Sequence, residues 1–386
     1  MPAPGGASPR HVLFLFDQIP SLDAGAERSL LKITRLLPPD RYRASVATFW
    51  APPDPGFLRQ FPCPVHVFPL ARTYGWDALK VAFKLRRLIR SGRVDIVQTF
   101  FPTSDLWGGL IAKLSGCRIL VSSRRDMGFE RTPMHRAAYR LLGPLFDQVH
   151  AVSDAVRDVT IRDDRLRADK VVTIPNGVEM ERIPPLRDLA YARAALGLGD
   201  ASHVIVDVGT VKHVKGFDTL ARTAALVCRE FPRAVFLVAG RIMNDGYIAE
   251  LESLVAALGL TRNFRFANQF ENVFPVLQAS DVFCHLSRSD GMSNALLEAM
   301  ACGLPCVISR VGGNPEVVEE GRNAFVVPSE EPELAAARVL TLLRSPRLAA
   351  SMGARSRQIA NRSFTAEAMV GGMVRLYDQL FEAKGL

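Results

Sequence analysis

The feature that most constrains the fold of this chain is an alternation of short apolar runs with longer amphipathic runs, and this alternation occurs twice. In the first half, a strand pattern at 11–16 is followed by a helical pattern at 26–37. The alternation restarts with a strand pattern at 203–208 and ends with an amphipathic helix over 365–383. Because strands that alternate with helices form parallel sheets covered by helices on both faces, we expect two doubly wound α/β domains.

A proline-rich segment over 175–185 separates the two halves and is interpreted as an interdomain linker. The length of 386 residues also suits two domains. We expect an N-terminal Rossmann-like domain over 1–180, a C-terminal one over 186–363, and a terminal helix over 364–386 that packs back on the N-terminal domain. Two such sheets imply a central cleft. Ligands of open α/β sheets bind outside the carboxyl ends of the strands, so the residues that follow each strand are the candidates for function.

The net charge of +9 is confined to the first half of the chain. Residues 1–185 hold 27 Lys and Arg against 18 Asp and Glu, whereas residues 186–386 hold 21 of each. A dense basic stretch over 83–93 includes Lys84 and Arg87. The bias leaves two alternatives open, a solvated basic surface or a partner that is an anionic membrane or an acidic acceptor. A nucleic-acid partner is not expected.

Several classes of protein do not fit this sequence. No run approaches the roughly 18 apolar residues of a membrane span, and the short apolar run at 12–16 does not fit a secretory signal. We therefore expect a cytoplasmic chain. The six cysteines are not spaced as a disulfide framework or a zinc site and are expected to be reduced. The chain also lacks the G-x-G-x-x-G, P-loop, H-E-x-x-H and G-x-S-x-G motifs.

The segment 287–309, SRSDGMSNALLEAMACGLPCVIS, carries the most chemical information. A predicted strand ends in a loop, and a helix over 294–301 follows, with Ser293 as its N-cap and Gly303 just past its end. A helix that begins at the carboxyl end of a strand presents free N–H groups and a positive dipole end to an anion. Gly291 lets the backbone approach that anion closely. The segment therefore predicts an anion site.

Two acidic residues of this segment, Asp290 and Glu298, have the spacing Asp-x7-Glu. Glu298 lies between Leu297 and Met300 in an otherwise apolar helix, where a carboxylate needs a polar partner. A pair of sugar or ribose hydroxyls would suit it. The alternative is an ordinary helix residue that is partly exposed.

This segment closely resembles the hallmark E-G-x-S/P-x-x-x-L-E-A-M-A-x-G-x-P of the retaining family-4 glycosyltransferases, also called glycosyltransferase group 1. The matching residues are Asp290, Gly291, Ser293, Leu297, Glu298, Ala299, Met300, Ala301, Gly303 and Pro305. The resemblance covers nearly the whole chain and implies the GT-B fold, in which two Rossmann-like domains face a central cleft. It implies that Asp290 approaches the donor sugar hydroxyls and that Glu298 holds the nucleotide ribose, with Met292 also at the donor. Asp290 replaces the usual Glu and is one methylene shorter.

The segment 208–218, VGTVKHVKGFD, resembles the G-R-L-x-x-x-K-G-x-D segment of the same family. The resemblance implies that Gly209 and Lys215 bind the donor diphosphate, with Lys215 as its clamp. Thr210 stands where the family has Arg, so one expected cation is missing. The candidates to replace it are Lys212 and Arg241.

Two segments of the first half also resemble the family. The segment 23–27, DAGAE, is similar to the G-G-A-E loop that faces the donor phosphates, with Gly25 matched and Ala24 in place of the first Gly. The segment 122–128, SSRRDMG, lies where many relatives carry a His near the reacting sugar. Its charged residues are interpreted either as acceptor or phosphate contacts or as a structural ion-pair cluster; they are Arg124, Arg125 and Asp126.

The resemblance implies a retaining, metal-independent glycosyltransferase of the hexosyltransferase class. It would move a sugar from a nucleotide diphosphate sugar to a glycan or lipid-linked acceptor in cell-surface polysaccharide or glycolipid synthesis, with catalytic roles for Asp290, Glu298 and Lys215. The Asp-x-Asp metal motif of the other main glycosyltransferase fold is missing, so neither a metal nor another cofactor is expected. The basic half suits a peripheral protein at the cytoplasmic face of the inner membrane. The alternatives are a nucleotide-sugar epimerase or hydrolase of the same fold, and a non-catalytic module that binds a membrane or polyanion.

Overall fold

The computed structural model describes residues 8–22, 25–52, 54–129, 131–185, 189–199, 201–242, 246–267 and 272–386. Asp23 and Ala24 of the predicted 23–27 loop lie outside the described residues. The chain divides into two compact units. The first unit comprises residues 8–22, Ala26–Pro175 and Met369–Leu386, and the second comprises Gly25 and Asn176–Ala368.

The first unit is built on a parallel sheet of seven strands. The strands are β1 (Arg10–Phe16), β2 (Tyr42–Thr48), β3 (Val65–Val67), β4 (Ile96–Phe100), β5 (Ile119–Arg124), β6 (Gln148–Ala151) and β7 (Val171–Thr173). Their order in the sheet is β3-β2-β1-β4-β5-β6-β7. The connecting helices are α1 (Gly25–Leu36), α2 (Trp76–Ser91), α3 (Gly109–Leu114), α4 (Pro133–Leu142) and α5 (Asp154–Asp164).

The second unit repeats this architecture with six parallel strands. The strands are β8 (His203–Val208), β9 (Ala234–Ala239), β10 (Phe264–Ala267), β11 (Val282–His285), β12 (Cys306–Ser309) and β13 (Ala324–Val327), in the order β10-β9-β8-β11-β12-β13. The helices that follow the first unit are α6 (Leu189–Ala195), α7 (Phe217–Cys228), α8 (Tyr247–Ala257), α9 (Phe274–Gln278), α10 (Asn294–Ala301), α11 (Pro332–Arg344), α12 (Pro346–Ser363) and α13 (Ala366–Ala383).

The two sheets confirm the prediction of two doubly wound α/β domains. Helices cover both faces of each sheet, so the central strands are buried on both sides; in β1 the residues from Val12 to Phe16 are all apolar and have no exposed surface. The strand order changes direction between β1 and β4 in the first unit and between β8 and β11 in the second. These are the topological switch points at which open α/β sheets bind ligands.

The last helix, α13, begins in the second unit and runs into the first. Within the first unit, Tyr377 is fully buried and donates a hydrogen bond to Gln98. Asp378 accepts hydrogen bonds from Tyr42 at 2.7 Å and from Arg41 at 2.6 Å. Val178 pairs with Thr365 in a parallel bridge, and both residues belong to the second unit.

Several local features differ from the sequence-based expectation or complete it. Helix α3 is preceded by a wide π-type turn, Ser104–Gly108, that leads directly into it. All six cysteines are free thiols, as predicted. Among the described residues, no helix combines the length and the apolar character that crossing a bilayer requires.

Candidate functional site

A buried histidine lies at the switch point of the second unit. His285 ends β11, whose neighbour in the sheet is β8, and this adjacency brings it to Asp207 of β8. His285 Nδ1 lies 2.7 Å from Asp207 Oδ1, and its Nε2 lies 3.1 Å from Asp290 Oδ2. The side chains of His285 and Asp207 have no exposed surface. Sequence reasoning missed both residues, since only the sheet order brings them together.

Lys215 completes this cluster by contacting the same carboxylate oxygen of Asp290 as His285 does. It ends a short 3₁₀ turn, His213–Lys215, that precedes α7. Its Nζ donates to Asp290 Oδ2 at 2.6 Å, so this carboxylate contacts both Lys215 and His285. An ammonium group has three donors, and this bond uses one. Two of the residues expected to bind a donor therefore pair with each other, and a buried couple, Asp207–His285, supports them.

The charges in this cluster balance. Burial alone would lower the pKa of His285, but the carboxylates of Asp207 and Asp290 outweigh burial and raise it to about 9. Burial alone would also raise the pKa of Asp290, but Lys215 and His285 hold it well below its usual range. At neutral pH the cluster thus contains two carboxylates, one imidazolium and one ammonium. A buried cluster of this kind is tolerable because each charge faces an opposite one.

The charge on His285 predicts a loss of stability at alkaline pH. Its folded pKa lies above the ordinary 6.5, so its contribution is complete below about pH 6.5 and is lost as the pH rises through about 9. The shift is worth on the order of 3 kcal/mol. We expect the difference in melting temperature between the wild type and His285→Gln to be large near pH 6.5 and to shrink towards about pH 10.

The control for this pH series is His66→Gln. Burial lowers the pKa of His66. The difference in melting temperature between the wild type and His66→Gln should therefore stay constant as the pH rises from about 6.5 to about 10. A difference between wild type and His285→Gln that stays constant across the series would contradict the assigned charge.

Arg288 and Gly216 fix the Lys215 turn against the loop that follows β11. Arg288 donates to both carboxylate oxygens of Asp218, at 2.8 and 2.7 Å, and to the carbonyl oxygen of His213 at 2.7 Å. Gly216 has a φ of 66°, and a Cβ there would lie 2.1 Å from the carbonyl oxygen of Leu286. Only glycine meets both requirements. The turn therefore holds Lys215 at a defined distance from Asp290.

The loop before α10 presents the start of that helix. As predicted, Ser293 is the N-cap, accepting a hydrogen bond from the Leu296 N–H at 3.2 Å, and Gly303 follows the last turn with a φ of 82°. The Ser293 N–H donates to Asn314 Oδ1 at 2.9 Å, and the Gly313 N–H donates to the Gly291 carbonyl at 2.9 Å. These bonds fix the helix end that the sequence predicts as an anion site.

The other residues predicted for the donor lie around these elements. Glu298, on α10, has 5% relative exposure and Met292 also 5%. Gly209 directly follows β8, and its N–H donates to the Ala239 carbonyl at 3.0 Å. Arg241, half-buried after β9, accepts a hydrogen bond from the Val211 N–H through its own carbonyl. Asn294 of α10 donates its side-chain amide to the Gly25 carbonyl at 3.0 Å.

In the first unit, Arg124 belongs to a buried ion-pair cluster. Its side chain is 2% exposed and donates to Asp105, which also accepts hydrogen bonds from Ser122 at 2.7 Å and from Tyr139 at 2.9 Å. Asp164 lies 3.3 Å from the other end of the guanidinium. This arrangement matches the structural alternative for Arg124. The other two charged residues of this segment have further contacts: Arg125 donates to Ser29, and exposed Asp126 accepts from the Gly128 N–H.

All three charged residues of this segment nevertheless border one pocket of about 220 Å³. The pocket lies beyond the carboxyl ends of β4 and β5. Its walls include Phe101, Arg124, Arg125, Asp126, His135 and Tyr139. Burial lowers the pKa of Arg125 to about 10, so this guanidinium stays charged at neutral pH. The described residues of both units contain no group of three His, Cys, Asp or Glu side chains arranged to hold a metal ion.

Two family profiles match the chain, one in each unit. The profile described as Glycosyl transferases group 1 matches residues 191–359, and the profile described as Glycosyltransferase Family 4 matches residues 24–182. The first therefore spans the Lys215, His285 and α10 region, and the second spans strands β2 to β7 of the first sheet.

Individual relatives show the same assignment. A GDP-mannose-dependent alpha-(1-6)-phosphatidylinositol monomannoside mannosyltransferase of Mycolicibacterium smegmatis is 31% identical over 72% of this chain and 75% of that enzyme. A UDP-Gal:alpha-D-GlcNAc-diphosphoundecaprenol alpha-1,3-galactosyltransferase of Escherichia coli is 25% identical over 80% of this chain and 82% of that enzyme. The N-acetyl-alpha-D-glucosaminyl L-malate synthase of Bacillus anthracis is 27% identical, and the match spans only 59% of its length.

Solved structures show the fold. Alr3699/HepE of Anabaena in complex with UDP and glucose superimposes with a TM-score of 0.85 and 23% identity, over 95% of this chain and 99% of that one. A sucrose-phosphate synthase of Thermosynechococcus elongatus superimposes with a TM-score of 0.79 over 97% of this chain. The two Rossmann-like units are therefore those of the GT-B fold.

Proposed function

Because this chain belongs to the group 1 glycosyltransferases of family 4, we propose that it moves a sugar from a nucleotide diphosphate sugar to a hydroxyl of a glycan or lipid-linked acceptor. The product would be a cell-surface polysaccharide or a glycolipid. The observation that carries the proposal is the Lys215–Asp290–His285 cluster beside the start of α10, at the switch point of the second sheet. The names of the Mycolicibacterium smegmatis and Escherichia coli relatives each include a nucleotide or nucleotide sugar and a lipid-linked acceptor.

The second unit supplies the residues proposed to hold the donor. The N–H groups at the start of α10 and the Lys215 ammonium would bind the diphosphate, since both offer donors to an anion. Buried Glu298 would accept hydrogen bonds from the ribose hydroxyls, and Asp290 from the sugar hydroxyls. The remaining donor contacts in this proposal are Gly25, Gly209, Arg241, Gly291, Met292 and Ser293.

The proposed reaction breaks the bond between the sugar C1 and the diphosphate oxygen and forms a bond from C1 to the acceptor oxygen. The acceptor hydroxyl loses its proton to the departing diphosphate. Negative charge builds on that diphosphate while the sugar becomes oxocarbenium-like. Lys215 and the α10 amides are fixed in place before the reaction, so they stabilise this charge without reorganising. Asp290, held by His285, would orient the sugar ring above them.

We further propose that the anomeric configuration is retained and that no metal ion takes part. Retention is supported by the alpha linkages in the names of both transferases above. The ammonium of Lys215 and the positive end of the α10 dipole supply, in this proposal, the cationic character that a metal provides in other transferases.

The first unit is proposed to bind the acceptor, in the pocket bordered by Arg124, Arg125 and Asp126. Arg124 is committed to Asp105 and would act there mainly by fixing the pocket wall. Arg125 and Asp126 are the better candidates for contact with acceptor hydroxyls or an acceptor phosphate, because both border the pocket and are less completely buried than Arg124. We also propose peripheral attachment to the cytoplasmic face of the inner membrane, which suits lipid-linked acceptors.

The test is a transfer assay in the presence of EDTA. The donors are a panel of UDP-, GDP- and ADP-sugars in which the sugar is α-linked to the diphosphate, and the acceptors are lipid-linked and soluble glycans. We expect release of the nucleotide diphosphate and a product whose new linkage is α by proton NMR. A β product would contradict retention, and activity that returns only with Mg²⁺ or Mn²⁺ would contradict metal independence.

The same assay separates the two alternatives. A nucleotide-sugar epimerase or hydrolase would consume the donor and yield a product without a new glycosidic bond. A non-catalytic module would release no nucleotide with any donor, and Glu298→Ala would change nothing measurable. Loss of turnover in Glu298→Ala, with unchanged folding and intact membrane or polyanion binding, supports an enzyme over the non-catalytic module.

A further inference from the structure

Helix α2 of the first unit has two opposed faces of different character. One face packs into the unit through Ala78, Val81, Leu85 and Ile89, each at most 5% exposed. The spacings of three and four residues place these side chains on one side of the helix. Helix α2 is therefore firmly seated, and its opposite face is a permanent part of the surface of this unit.

The outward face of α2 carries large apolar side chains. Trp76 is 81% exposed, Leu79 50% and Phe83 70%, and Tyr74 just before the helix is 69% exposed. Trp76, Leu79 and Phe83 are themselves three and four residues apart, so they form one stripe along the helix. A stripe of this size facing water is unusual for a surface helix and marks an interaction site.

The same face is basic. Helix α2 contains five Lys and Arg residues and a single acid, Asp77, which pairs with Lys80 at 3.3 Å. Lys80, Lys84, Arg87 and Arg90 are all exposed beside the apolar stripe. We call the outward apolar and basic residues together the α2 surface; they are Tyr74, Trp76, Leu79, Lys80, Phe83, Lys84, Arg87 and Arg90.

A basic pocket of about 830 Å³ adjoins the end of α2. Arg43, Arg90, Arg93 and Arg118 border it, with Asp95 as its acid. Two of these guanidiniums are anchored by backbone carbonyls: Arg43 donates to Gly92 at 2.6 Å and Arg90 to Ser115 at 3.2 Å. The positive character of the α2 surface thus continues past the end of the helix and is held in place.

We propose that the α2 surface docks this protein on an anionic phospholipid bilayer. Trp76, Leu79 and Phe83 enter the boundary between headgroups and acyl chains, while the flanking Lys and Arg side chains contact lipid phosphates. Interfacial helices combine these two residue types in this arrangement, and Trp and Tyr favour the headgroup region. A protein partner fits less well, because the cores of protein interfaces are depleted in Lys. The proposal rests on the peripheral attachment proposed above and not on the transfer reaction.

The experiment is flotation of the full chain with phosphatidylcholine vesicles that do or do not contain phosphatidylglycerol. We expect binding to the anionic vesicles that weakens between about 50 mM and about 500 mM NaCl. Trp76→Ala with Phe83→Ala removes apolar area, and Lys80→Glu with Lys84→Glu and Arg87→Glu reverses the basic charge. Each set of changes should lower the vesicle-binding constant about tenfold or more. Binding should also shift the fluorescence of Trp76 to the blue, a change that Trp76→Phe removes.

The matched control carries Leu334→Ala, Arg222→Glu and Arg347→Glu, which change exposed apolar and basic positions on helices of the second unit. It should float like the wild type. Failure of the wild type to float, equal binding by the α2 variants and the control, or binding to single-stranded DNA in place of vesicles would each overturn the proposal. Nucleotide-sugar binding is measured in parallel: its absence would count against the proposed function, whereas flotation tests the α2 surface alone.

Discussion

Replacing Lys215 with methionine is expected to lower kcat by about two to three orders of magnitude, the loss typical when one preorganised donor to a developing negative charge is removed. Methionine keeps most of the side-chain volume but has no charge to offer the departing diphosphate. The change also leaves Asp290 with His285 as its cationic neighbour in the cluster. Steady-state kinetics with the donor identified by the panel measure the effect, and KM for that donor should rise as well.

Arg222→Met is the matched control, because Arg222 lies on the exposed side of the adjacent helix α7. It should leave kcat unchanged. Lys212 lies in the same segment as Lys215, and Lys212→Met tests whether Lys212 replaces the cation missing at Thr210. A fall in kcat comparable to that of Lys215→Met would assign Lys212 this role. An unchanged kcat in Lys215→Met would contradict the proposed clamp.

Replacing Asp105 with asparagine should cause the largest loss of stability. The Asp105 carboxylate faces the fully buried Arg124 guanidinium and accepts hydrogen bonds from Tyr139 and Ser122. Asparagine is similar in shape but leaves the Arg124 charge with only the more distant Asp164. Removing one partner of a buried ion pair costs about 3–5 kcal/mol, and we expect the midpoint of urea unfolding to fall accordingly.

The control for this substitution is Asp77→Asn. Asp77 pairs with Lys80 at the surface, where the side chains are 87% and 72% exposed, and exposed pairs contribute little. Its unfolding midpoint should match that of the wild type. If Asp105→Asn behaved like Asp77→Asn, the Arg124 cluster would not be a structural element of the first unit.

The local features of the site were predictable because the signals that fix them are local. Helix α10 begins and ends at the predicted residues, since Ser293 caps it and Gly303 supplies the left-handed residue after its last turn. Strand β8 also has its predicted bounds, 203–208. It is a short apolar run between polar or turn residues, which is the pattern typical of a strand.

The support for Asp290 could not be predicted, because it depends on the order of strands in the sheet. Asp207 and His285 are distant in sequence and meet only because β8 and β11 are neighbours. A histidine at the end of an apolar run indicates nothing more specific than a buried strand end. Its presence does explain how Asp290, one methylene shorter than the usual Glu, is held in place: His285 and Lys215 both contact it.

Helix α12 gives no clear helical pattern in the sequence for a related reason. It presents mostly small and basic side chains, and its buried face consists of Met352, Gly353, Ser356 and Ala360. Such a face is too weakly apolar to give a clear helical period. This helix is specified by packing against the rest of its unit rather than by its own pattern.

The most direct measurement is calorimetric titration of the wild type with nucleotide diphosphates and nucleotide diphosphate sugars in EDTA, repeated on Glu298→Gln and Asp290→Asn. We expect the diphosphate and the diphosphate sugar of one nucleotide base to bind the wild type. Glu298→Gln should weaken the binding of both ligands about tenfold or more. Asp290→Asn should remove only the tighter binding of the nucleotide sugar relative to the bare nucleotide diphosphate. If no nucleotide binds the wild type, or if Glu298→Gln binds as tightly as the wild type, the second unit does not hold a donor in the way described.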